Sequence, residues 1–89
     1  MSEMKEMYGI LKEMLRYLEE KKLNEISDLN KSFETAYRKV FQITDKGELA
    51  LKYDNCRQSC MTPINFPDMY EEALTDAKEW FSKIPEPEE

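Results

Sequence analysis

Phe41-Gln42-Ile43-Thr44-Asp45-Lys46-Gly47-Glu48-Leu49-Ala50-Leu51-Lys52-Tyr53 is the stretch on which the fold class turns. Two periods compete in it. With a period of two, Leu49, Leu51 and Tyr53 alternate with Ala50, Lys52 and Asp54, and Phe41 and Ile43 stand opposite them across an Asp45-Lys46-Gly47-Glu48 turn. That pattern makes a hairpin over residues 40–53 and an α+β fold. With the helical period, Asp45 and Glu48 have capping-box spacing, and Leu49, Tyr53, Cys56 and Cys60 form a narrow apolar stripe on a helix that ends before Pro63. The helical reading is preferred because Val40 and Phe41 already continue the helical period of the segment before them.

Upstream, Met4, Met7, Tyr8, Ile10, Leu11, Met14, Leu15, Tyr17 and Leu18 fall within an arc of about 180° when each residue turns 100°. Lys5, Glu6, Gly9, Lys12, Glu13 and Arg16 fill the other half, so residues 3–22 read as an amphipathic helix. Lys21 and Lys22 suit its C-terminus, with Asn24 available as a left-handed cap. Ile26, Leu29, Phe33, Ala36, Tyr37, Val40, Phe41 and Ile43 share an arc of about 160° and predict a second helix over 25–42, started by Asn24 or Ser27. The short link between the two helices demands an antiparallel hairpin.

Downstream of the Pro63 to Pro67 connection, Asp68 and Glu71 again have capping-box spacing. Met69, Tyr70, Ala73, Leu74, Ala77, Trp80, Phe81 and Ile84 occupy an arc of about 140°. A last helix over 68–84 follows, stopped by Pro85 and Pro87. The expected architecture is a small antiparallel all-α bundle of three to four helices, one domain over 1–85 with a flexible acidic tail at 86–89. Leu11, Leu18, Phe33, Val40, Ala77, Trp80 and Phe81 are expected in its core.

Eighty-nine residues leave room for one domain at most. The 40% apolar content, with one Trp, five Tyr and four Phe against only two Gly, is enough to fold and excludes a low-complexity chain. No stretch approaches the roughly 18 uninterrupted apolar residues of a membrane span, and the start Met1-Ser2-Glu3-Met4-Lys5-Glu6 has no basic-then-apolar leader pattern. Two cysteines are too few for a disulfide scaffold, so a cytoplasmic protein is expected.

The net charge of −6 is carried entirely by residues 66–89, where eight acids face two bases, while the first 65 residues are neutral. The only basic pairs, Lys21-Lys22 and Arg38-Lys39, make no stripe for a phosphate backbone, so direct nucleic-acid binding is not expected.

Chemistry has few candidates. There is no histidine and no glycine-rich phosphate loop, and the acids read as solvent faces of helices, so no enzyme, cofactor or small-molecule substrate is expected. Cys56 and Cys60 are one helical turn apart, where a disulfide within an unbroken helix is strained. They supply two thiolates where structural zinc takes four donors. Buried reduced thiols are expected, with a redox switch or a metal site completed by a second chain or nearby carboxylates as the alternatives.

Binding has two candidate surfaces. The arc of the first helix is wider than one bundle seam needs and holds Met4, Met7 and Met14 near Met1, together with Tyr8 and Tyr17. Methionine adapts to varied partners, which points to docking of a protein partner or to a homodimer. On the last helix Glu72, Asp76 and Glu79 project together and suit a basic partner. The expected function is thus a non-enzymatic accessory or regulatory protein-binding module. The alternative is an acidic inhibitor that mimics nucleic acid toward a basic nucleic-acid-binding protein.

Overall fold

A computed structural model of the chain describes residues 3–41 and 47–88. Four α-helices make an all-α bundle: α1 (Glu3–Glu19), α2 (Leu23–Val40), α3 (Glu48–Asn65) and α4 (Tyr70–Ser82), with a single 3₁₀ turn at Pro67–Met69 leading into α4. The stretch that divided the two fold classes resolves as helix, since Glu48 to Tyr53 lie in the first turns of α3. No strand occurs among the described residues, and the hairpin over 40–53 is overturned there. Residues 42–46 of that hairpin lie outside the described residues.

α1 packs along α2, α3 along α4, and the two pairs close on a shared core. α1 supplies its centre through Met7, Leu11, Met14 and Leu18, all fully buried at i, i+4, i+7 and i+11. α2 adds Ile26, Phe33 and Ala36; α3 adds Tyr53, Cys56 and Cys60; α4 adds Ala77. Of the residues expected inside, Leu11, Leu18, Phe33 and Ala77 are buried, whereas Val40, Trp80 and Phe81 pack on the core half-exposed. An aromatic run, Phe33 to Tyr37 to Phe41 to Tyr53, carries the core from α2 to α3 with centroids 5.5, 5.2 and 6.0 Å apart.

The helix ends differ from those the sequence suggests. α1 closes in a Schellman motif, with Lys22 N–H donating to the Tyr17 carbonyl (2.8 Å) and Lys21 N–H to that of Leu18 (3.1 Å). Its left-handed residue is Lys21 (φ 59°), not Asn24. Asn24 lies inside α2, which begins at Leu23 behind Lys22, and no side chain caps it, so neither Asn24 nor Ser27 plays the expected part. The two hydrogen bonds of the Schellman motif require the left-handed residue, and Tyr70 packs against Lys21: its hydroxyl donates to the Leu18 carbonyl (2.6 Å) and Lys21 Nζ rests 4.9 Å from its ring centre.

The capping box of Asp68 and Glu71 does not form either. Pro67 starts the 3₁₀ turn, Met69 N–H donates to the Phe66 carbonyl (3.0 Å), and α4 begins behind Met69 without a side-chain cap. At α3, Gly47 stands at the N-cap, so Glu48 is the first helical residue instead of the third; Asp45 lies outside the described residues. α3 also runs through Pro63 to Asn65. Pro63 is fully buried, and its packing offsets the hydrogen bond it denies the Ser59 carbonyl. Pro67 provides the stop, forcing Phe66 out of helical geometry (φ −134°, ψ 78°).

Two stability predictions follow from these sites. Lys21→Gly relieves the left-handed strain and raises stability by about 0.5–1 kcal/mol in urea unfolding, less than the full strain because the contact with Tyr70 is lost. The fully buried Tyr53 hydroxyl has no hydrogen-bond partner among the described residues. Burial pushes its pKa up to about 12, with nearby Tyr8 adding to the effect. The unfolded chain releases that proton near 10. Stability contributed by Tyr53 is therefore full below pH 10 and falls as pH rises toward 12. Tyr53→Phe flattens that alkaline fall and raises neutral-pH stability by about 1 kcal/mol, both measurable by urea titration across pH.

Candidate functional site

Beside the buried stripe of α3, Tyr53, Cys56, Cys60 and Pro63, stand the half-buried Arg57, Met61 and Thr62, with Gln58 and Asn65 on the exposed arc beyond them. With Phe66 and Met69 these side chains line a groove of about 350 Å³ where α3 turns into α4. Pro67 explains why apolar surface sits there. It holds Phe66 extended, and the ring stands in solvent at 60% exposure beside Met69 at 40%. Leu51, 52% exposed, completes the set of large exposed hydrophobics among the described residues, and it lies two turns before Gln58 on the same outer arc of α3.

The polar side chains of the groove are tied down locally. Asp54 accepts a hydrogen bond from Arg57 Nη2 and another from Gln58 Nε2 (2.7 Å), and the Thr62 hydroxyl donates to the Gln58 carbonyl (3.0 Å). Arg57 Nε is buried without a partner among the described residues. The groove thus combines three large apolar side chains, Met61, Phe66 and Met69, with amides, a hydroxyl and one ion-paired cation.

An acidic edge continues from the groove. Glu72 and Asp76 stand three and seven residues beyond Met69, on one face of α4, and both are exposed, as is Asp68. None of these three has a cation at ion-pair distance among the described residues. Glu79, next in the row, is within 3.9 Å of Lys83. Lys78 turns the other way and pairs with Glu19 of α1 at 2.8 Å.

The methionine face of α1 has a different fate. Met7 and Met14 are fully enclosed by the chain's own core, and Met4, Tyr8 and Tyr17 are half-buried at its margin. Tyr8 packs on Phe81 (centroids 4.8 Å apart), and Tyr17 lies under Arg16 at 4.5 Å. The wide apolar arc is spent inside the molecule because α2 covers one flank of α1 while α3 and α4 cover the other. Met1 lies outside the described residues. Glu72, Asp76 and Glu79 do share one exposed side, as their spacing implies. The residues missed by sequence reasoning are Phe66, Met61 and Met69, and the signal was the Phe66-Pro67 dipeptide, which puts a large apolar side chain where no helix can carry it inward.

Cys56 and Cys60 are reduced and fully buried. The Cys56 thiol reaches the Ala77 carbonyl on α4 at 3.5 Å. A hydrogen bond with Cys60 and, next, burial hold it well above the usual thiol range. No group of three or more potential metal-ligating side chains occurs among the described residues, and no described helix is long and apolar enough to cross a membrane. Comparison of the chain with protein-family models, with curated proteins and with solved structures finds no match.

Both side chains are fully enclosed, so neither cysteine is expected to react with Ellman's reagent at about pH 8 until the chain opens. Both are expected to react at once in concentrated guanidinium. Native labelling faster than unfolding, followed by stopped-flow absorbance, contradicts this placement.

Proposed function

We propose that this chain is a non-catalytic protein-binding module that docks a partner through the groove at the α3–α4 corner. The carrying observation is Phe66, a large ring held in solvent by Pro67 above a groove that also contains Met61 and Met69. Aromatic and methionine side chains at the centre of a patch, ringed by amides and a single ion-paired arginine, have the make-up of an interface core and rim. The groove's volume lies near the lower end of the range for ligand clefts and suits an anchoring side chain of a partner better than a large cofactor. Relative to a docking surface on α1, this reading moves the contact to α3, since Met7 and Met14 are occupied in the core. An accessory or regulatory role in the cytoplasm fits such a module, which works by being bound.

Phe66 contributes little to the fold, so Phe66→Ala changes unfolding free energy by less than about 0.5 kcal/mol. If Phe66 anchors a partner, the same substitution weakens the complex by about 2 kcal/mol. A photo-crosslinking amino acid at position 66 in the native host should give discrete adducts that the same probe at exposed Glu34 does not. Adducts that form equally from both positions remove the groove from consideration.

A further inference from the structure

We infer that the groove and the acidic edge of α4 act as one site for a basic, apolar-anchored peptide segment of a partner protein. The inference rests on the docking reading above and names the chemistry of the occupant. Phe66, Met61 and Met69 offer the anchor its apolar contact. From Met69 at the end of the 3₁₀ turn, Glu72, Asp76 and Glu79 then run along one face of α4 for about 10 Å, at about 1.5 Å per residue. A segment seated in the groove and laid along α4 therefore meets carboxylates at successive turns.

The charge of the patch is one-sided. Arg57 and Lys83 stand against Asp54, Asp68, Glu72, Asp76 and Glu79, which leaves −3. Arg57 is already taken by Asp54, so the excess faces outward at Asp68, Glu72 and Asp76. Complementary potential favours lysine and arginine in the occupant and raises its association rate. It also argues against a second copy of this chain. An isologous contact sets a patch against itself, and here that places acid on acid in a protein of net charge −6.

The test is selection of a random peptide library displayed on phage against the full chain, without bias toward any composition. Selected peptides are then titrated by fluorescence anisotropy against the wild-type chain, Phe66→Ala and the double variant Glu72→Lys/Asp76→Lys. Circular dichroism checks that the variants stay folded. The expected peptides combine an aromatic or aliphatic anchor with flanking lysine or arginine. They weaken about tenfold or more on Phe66→Ala. They also weaken about tenfold with the double variant or on raising salt from about 50 to about 300 mM. Neutral or acidic peptides that need Phe66 but ignore the double variant overturn the inference and leave the docking reading standing. Peptides indifferent to Phe66→Ala, or no selected peptide at all, overturn both. A dimer that dissociates on Phe66→Ala puts a second copy in the groove and likewise overturns the inference.

Discussion

The close approach of α3 to α4 is the constraint from which the rest of the structure follows. It is possible because the contacting side chains are small. Cys56 and Cys60 on α3 meet Ala77 on α4, and Ala73 is buried a turn earlier. Ala77 is fully buried, with the Cys56 thiol 3.5 Å from its carbonyl, so a larger side chain at position 77 would have to displace close-packed neighbours. Small residues bury little apolar area, so the large buried contributions must come from elsewhere. α1 provides four of them through Met7, Leu11, Met14 and Leu18, and Tyr53 of α3 with Phe33 and Ile26 of α2 supply the others. The methionine-rich helix is central because it packs against each of the other three.

That division of labour also sets the surface. α3 buries a narrow stripe, and its other arc stays outside, carrying Leu51 with it, while Met61 is half-buried at the margin. Where α3 must turn into α4, Pro67 prevents Phe66 from joining either helix. The exposed ring is thus a consequence of how the corner is made, and Met69, at the end of the 3₁₀ turn, lies beside it. One wall of the groove belongs to α3, which packs on the core, and the other is formed by Phe66 and the 3₁₀ turn that ends at Met69.

The helices were legible because each long segment repeats its apolar residues at the helical period, and even α3 could be placed by Leu49, Tyr53, Cys56 and Cys60. Their ends were not. Asn24, Ser27 and the Asp68–Glu71 pair are good caps by residue type, yet the ends are made by tertiary contacts. Lys21 takes the left-handed position of the Schellman motif, and Tyr70, far along the chain, hydrogen-bonds the Leu18 carbonyl of the same turn. Pro63 stays in a helix because its ring is buried. The candidate site divides in the same way. The acidic row follows from spacing alone, whereas the choice between an exposed and a central Met7 and Met14 depends on how many neighbours α1 acquires, which periodicity does not encode.

The acidic edge owes its field to where the cations go. Arg16 bridges Glu13 (2.7 Å) and Glu20 (3.3 Å), Lys22 joins Glu20 (3.2 Å), and Arg57 closes on Asp54. Such exposed pairs add little to stability, since each offsets ordering entropy with a screened attraction. Their larger effect is on the map of potential, because a cation held in a local pair does not neutralise a neighbouring helix. Lys78 is the decisive case. It lies on α4 among Asp76 and Glu79, but the seam that brings Tyr70 against the end of α1 also places Glu19 within 2.8 Å of its ammonium group. The pair draws the cation toward α1 and leaves Glu72 and Asp76 without a cation at ion-pair distance among the described residues. One interhelical contact that adds little to stability thus polarises the surface beside the groove.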